Sequence, residues 1–286
     1  MFRPGGEMSD EGDSRQVKVH VWATAKEAWT IFLGNTGTVV RLLTIPGIVF
    51  VLTFGALYAL GGPVTAGPAR QVDLVVFAGL ILFWMSMVPA ITAWHRFVVC
   101  GPDDPENPVV YRLGRREWTY IWVAFLIGVI SALVTIPINL ATGLLAVAVA
   151  TSIGGGTIGI LAVTTIIILA PTILVFGYLF ARFSLALPAA AVLYPMTIFR
   201  SWTATAGNGF RIFFAYSITV LPFLVLSHVL SIIGSTGGSA PGIGWVGASV
   251  LFDALSTLMA VPVLSLTFIR IVLSRPEASK QPALTS

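Results

Sequence analysis

Two ionisable side chains, His228 and Asp253, sit inside long apolar runs of this chain. A charge at such a depth is costly, which makes each a candidate for function by default. At 1.5 Å per helical residue, Asp253 is about 12 Å into the last apolar run and His228 about 8 Å from the end of the run before it. The two runs adjoin as a hairpin, so the side chains are expected to meet. A His–Asp pair at that position relays a proton or gates a solute, or it is a single hydrogen-bonded contact that fixes the hairpin. Asn139, beside Pro137, reads as interhelical glue.

A second group could bind rather than react. Arg112, Arg115 and Arg116 follow a turn rich in Pro102, Pro105 and Pro108, and they share one helical face. Beside a membrane they meet anionic headgroups, each cation contributing about 1 kcal/mol. The bland alternative is plain topogenic charge. Catalytic sets are weaker. Ser249 with His228 superficially resembles a membrane serine protease, but Val250 stands where a glycine should follow the serine. Three histidines and one cysteine are too few and too scattered for a metal site. No phosphate-binding loop or dinucleotide fingerprint is present, and no cofactor is expected. The lone Cys100 excludes an intrachain disulfide. It reads as a small hydrophobe at a helix end, or as a lipidated or redox-active thiol.

The elements that must hold these residues follow from composition. Of 286 residues, 56% are hydrophobic and only 10% are charged, against roughly 25% charged in soluble domains. The mean hydropathy is +0.92. These values exclude a soluble globular protein, a disordered chain and a nucleic-acid binder. A membrane-spanning helix needs about 20 apolar residues to cross roughly 30 Å of hydrocarbon. Six runs qualify, at residues 42–60, 74–95, 119–145, 157–180, 211–233 and 245–269. The expected fold is an all-α bundle of six transmembrane helices over residues 22–272. Polar tails flank it, residues 1–21 and 273–286, both cytoplasmic. Neither a basic segment nor an apolar core marks a signal peptide at the start, so the first span is expected to act as an uncleaved anchor.

Orientation comes from the basic residues, which gather in cytoplasmic loops. Threading six spans with both ends inside puts 15 of the 16 lysines and arginines on one face, with Arg70 alone opposite.

Three local patterns add detail. Thr24 and Glu27 have capping-box spacing, followed by Ala25, Ala28, Trp29 and Phe32 on one face of an amphipathic interfacial helix. A second such helix follows Pro195, with Ile198, Phe199, Trp202 and Ala206 together. The sequence W-T-x-x-x-G-N occurs at Trp29 and again at Trp202, and the even-numbered spans end in an aromatic, one residue, an arginine and an apolar residue, at Arg96, Arg182 and Arg270. This suggests three repeated helical hairpins, each introduced by an interfacial segment. Snorkelling arginines explain the same positions without a repeat. Every span carries a proline, so kinks are expected.

The motifs Trp94-His95-Arg96-Phe97, Ala181 to Ala189 and Trp202 to Asn208 resemble those of uncharacterised six-span bacterial inner-membrane proteins. These are similar to the YciC-like group and to the membrane domain attached to some glycerophosphodiester phosphodiesterases. The resemblance covers most of residues 22–272. It implies the bacterial inner (cytoplasmic) membrane and supplies no catalytic residues; this chain has no phosphodiesterase domain. The expected function is a non-enzymatic component that organises membrane lipids, through anionic headgroups on the cytoplasmic face, or organises partner proteins. The alternative is a small-solute or lipid transporter or channel using the kinked helices with Asp253 and His228.

Overall fold

A computed structural model describes residues 17–61, 69–102, 113–153, 157–236 and 243–274. Among these residues there is no strand. The chain is an all-α polytopic helical protein. Helix α1 (Val21–Gly34) leads into α2 (Thr36–Gly61) and α3 (Ala69–Cys100). Helices α4 (Arg115–Ile153) and α5 (Thr157–Phe183) follow, then two short helices, α6 (Ala186–Ala191) and α7 (Ile198–Ala204). Helices α8 (Gly209–Thr236) and α9 (Ile243–Phe268) close the bundle, and α9 runs on into a π-helical turn, Ile269–Leu273.

The six long helices coincide with the six apolar runs to within eight residues at either end, because unbroken hydrophobicity over that length has no other stable solution in lipid. Five of them hold stretches long and apolar enough to cross a membrane among the described residues: Thr36–Thr53, Phe77–Cys100, Arg115–Val149, Gly209–Ile233 and Gly247–Leu273. In α5 the corresponding apolar stretch is shorter, Ile167–Phe183. At 39 residues, α4 is about 58 Å long, so it must tilt or project beyond about 30 Å of hydrocarbon. Pro46, Pro89, Pro137, Pro171, Pro222 and Pro262 all lie within continuous helices.

The long helices pack as three neighbouring pairs: α2 with α3, α4 with α5, and α8 with α9. Helix α9 is the axis. It also packs against α1, α2, α3 and α6, and from Leu258 to Phe268 every side chain is buried. Burial concentrates at the end of the bundle where α3, α5 and α9 finish. There α6, wholly buried, wedges between α3, α4 and α9. The opposite halves of α4 and α8 expose Leu133, Leu140, Leu144, Val225 and Ile232, which is the apolar exterior that a lipid environment demands.

Two local expectations are corrected. Thr24 does not cap α1. The helix begins earlier, at Val21, with His20 at its N-cap position, and Thr24 N–H bonds to His20 O within the first turn. The apolar face of α1 packs on the bundle. Ala25, Ala28 and Phe32 are buried there as expected. The segment before α1 is tied to Asn208, and Trp29 stacks on Phe223 at 5.5 Å. These contacts are about 22 Å apart along α8, so α1 runs lengthwise beside that helix. In α7 the buried residues are Ile198 and Ser201, while Phe199 is exposed beside Arg200.

Close packing of α5 on α8 depends on Gly177. A Cβ there would lie 2.1 Å from Phe213 Cε2, whereas one at Gly128 of α4 meets nothing within 4 Å. Gly177→Ala is expected to lose about 1–3 kcal/mol by overpacking. Gly128→Ala should be neutral or gain up to about 1 kcal/mol of helix propensity. Thermal unfolding of the two purified variants in one detergent distinguishes them.

Candidate functional site

The structure does not pair His228 with Asp253. On α8 the buried side chain is Ser227, whose hydroxyl donates to Ser249 O of α9 at 3.2 Å. Adjacent helical residues point about 100° apart, so His228 turns outward and is exposed. Asp253 is half-buried on α9. Its backbone oxygen accepts from Ser256 and Thr257, at 2.8 and 2.9 Å. Among the described residues no hydrogen bond or ion pair joins the His228 and Asp253 side chains. Asn139 does link helices: Thr172 of α5 donates to its Oδ1.

The polar groups that the fold brings together lie instead at the densely packed end. His95, with no exposed surface, has Nδ1 2.8 Å from Ser265 Oγ of α9 and Nε2 3.5 Å from Tyr120 OH of α4. One turn earlier on α3, Thr92 donates to Glu117 Oε1 at 3.4 Å. The other Glu117 oxygen accepts Gly114 N–H at 2.8 Å, capping the start of α4. Trp94 Nε1 donates to Leu258 O of α9 at 3.0 Å. One face of α3 thus binds both α4 and α9. The Ser265–His95 spacing suits a nucleophile and its base, but both side chains are fully buried. In that setting the contact acts as a fastener, since an unsatisfied partner costs about 1–3 kcal/mol.

Two of the three repeated arginines clamp the short helices. Arg182, at the end of α5, donates to Tyr178 OH at 3.0 Å and to Trp202 O of α7 at 2.7 Å. Its guanidinium lies 4.1 Å from the Trp202 ring centre, a cation–π geometry. Its carbonyl, one of those a helix end leaves without a partner, accepts from Ser201 and Thr205 hydroxyls at 2.9 and 3.0 Å. That is why Ser201 of α7 and Thr205 just after it are buried although polar. Arg270 reaches α1 from the π-helical turn: Nη1 donates to Thr24 Oγ1 at 2.6 Å and Nη2 pairs with Glu27. The apparent capping box is the receptor for this arginine. Arg96 is half-buried and engaged as well. The two W-T-x-x-x-G-N asparagines differ. Asn208 is buried, accepts Val19 N–H at 2.9 Å and donates to Val17 O at 2.8 Å. The Asn35 side chain, between α1 and α2, bonds only back to Ile31 O of α1.

Of the predicted headgroup cations, Arg112 lies outside the described residues. Arg115 is exposed, and Arg116 is half-buried and partnered. Lys18, Lys26 and Arg41 are exposed as well. Among the described residues no hydrogen bond or ion pair engages the side chains of these two lysines, Arg41 or Arg115. Large exposed aromatics stand at the starts of helices: Trp22 on α1, Trp118 and Trp122 on α4, and Phe199 on α7. Cys100, the last residue of α3, is exposed and in no disulfide. Among the described residues no three His, Cys, Asp or Glu side chains converge to hold a metal. No family model, curated protein or solved structure matches the chain.

If His95 and Ser265 fasten α3 to α9, a double-mutant cycle should show it. His95→Phe and Ser265→Ala should each destabilise the protein in detergent, with a coupling of about 0.6 kcal/mol, the average for side-chain bonds between membrane helices, and no more than about 1.7 kcal/mol. Additive losses would mean that the contact contributes nothing.

Proposed function

We propose that this chain is a six-span protein of the bacterial inner membrane, with both termini in the cytoplasm, which organises anionic lipid at its basic end and catalyses no reaction. The observation that carries this reading is the unengaged set Lys18, Lys26, Arg41 and Arg115 beside the exposed Trp22, Trp118 and Trp122. Tryptophan collects at headgroup level, and an unpaired cation there is drawn to anionic lipid. The polar groups beneath this rim, His95, Glu117 and Arg182, are already committed to neighbouring helices. The short motifs that resemble six-span bacterial inner-membrane proteins favour the same membrane.

A second reading, a transporter or channel for a small solute or lipid, keeps one observation in its favour. Asp253 holds a half-buried carboxylate in α9, with no ion pair among the described residues.

Extraction of the protein in polymer-bounded membrane discs tests the first reading. The discs should be enriched in anionic lipid over the parent membrane. A variant with Lys18, Lys26, Arg41 and Arg115 all changed to Gln should lose that enrichment, at about 1 kcal/mol for each cation removed. Unchanged enrichment would defeat the proposal. Solute flux in proteoliposomes that vanishes in an inserted Asp253→Asn variant would put the transport reading in its place.

A further inference from the structure

We propose that the lateral groove between α2 and α3 seats one acyl chain of an anionic phospholipid whose headgroup is held by Arg115; this rests on the lipid-organising reading above and gives it a specific site. The groove has a volume of about 510 Å³, within the roughly 300–1,000 Å³ of small-molecule sites. Val49 and Leu52 of α2, Leu82, Met85 and Pro89 of α3, and Leu113 line it. From Leu82 to Pro89 it follows α3 for about 10 Å, the shape of a slot that takes a chain lengthwise. Its wall also includes Thr53 of α2 and Ser86, whose hydroxyl is turned back onto Phe83 O at 2.6 Å. The lining therefore offers little to a polar ligand and suits hydrocarbon.

The charge at the end of the groove selects the occupant. Leu113 precedes Arg115 by two residues, so their Cα atoms are no more than about 7 Å apart. Arg115 is exposed, and among the described residues nothing engages its guanidinium. An apolar helix of another protein, or a second copy of this chain, would fill the slot and leave that cation unneutralised. A phospholipid with a net negative headgroup satisfies both features at once: its chain covers the apolar wall and its phosphate meets the arginine.

Native mass spectrometry of the full chain, released from an equimolar mixture of phosphatidylglycerol and phosphatidylcholine, tests this. The wild type should retain one phosphatidylglycerol about fivefold more often than phosphatidylcholine, the ratio given by one cation at a headgroup. Arg115→Gln should bring the ratio to about one. Ser86→Phe, which fills the slot, should abolish retention of both lipids, while Leu144→Phe, at an exposed position of α4, should behave as the wild type. Equal retention of the two lipids by the wild type would overturn the proposal, as would a ratio that Arg115→Gln leaves unchanged. A lipid-free dimer would overturn it in favour of a second copy in the groove. Arg115 is exposed, so its variant remains informative even if Ser86→Phe fails to fold. If retention lacks selectivity while whole discs stay enriched in anionic lipid, the groove assignment fails alone; if the discs are not enriched either, the broader reading has failed.

Discussion

A backbone or side-chain polar group inside a membrane bundle has no water to turn to, so the protein must satisfy it. That constraint governs the densely packed end of this molecule. The carbonyl that ends α5 is taken by Ser201 and Thr205. The guanidiniums of Arg182 and Arg270 are taken by α7 and α1. The imidazole of His95 is taken by α9. These bonds join separate helices: α7 to the end of α5, α1 to the turn after α9, and α3 to α9. Apolar burial alone gives a weaker preference in lipid, because hydrocarbon solvates leucine as well as a neighbouring helix does.

The same division of labour bears on function. Polar groups within the bundle are spent on assembly, while among the described residues nothing engages four rim cations, Lys18, Lys26, Arg41 and Arg115. A rim of free cations and exposed tryptophans is suited to the headgroup layer, and the slot beside α2 continues that surface into the hydrocarbon. Helix α2 contributes much of this exterior: Ile48, Val51 and Leu52 are exposed. Helix α9 is the opposite case, buried along its second half.

The long helices could be read from the sequence because hydropathy over some twenty residues is a local property. What escaped was relational. The pattern from Thr24 to Glu27 has the spacing of a cap, but its partner is Arg270, 246 residues from Thr24. His228 and Asp253 were matched by depth, and depth says nothing about the direction in which a side chain points around its helix. His95 lay in view within Trp94-His95-Arg96-Phe97, yet nothing local linked it to Ser265, 170 residues away. In α7 Ile198 is buried as its apolar spacing suggests, but Ser201 and the following Thr205 are buried too, and their hydroxyls are invisible to apolar periodicity. Nor does hydropathy reveal that α9 is central, since all six runs are similarly apolar.

The central claim is that the basic, densely packed end of the bundle faces the cytoplasm and its anionic lipid. Cys100, the only cysteine in the chain, is exposed at the end of α3 on that side, so the native protein carries its own reporter. Labelling with a membrane-impermeant maleimide should modify Cys100 in inside-out membrane vesicles and leave it unmodified in intact spheroplasts. Modification in spheroplasts, with protection in inside-out vesicles, would reverse the orientation and contradict the account.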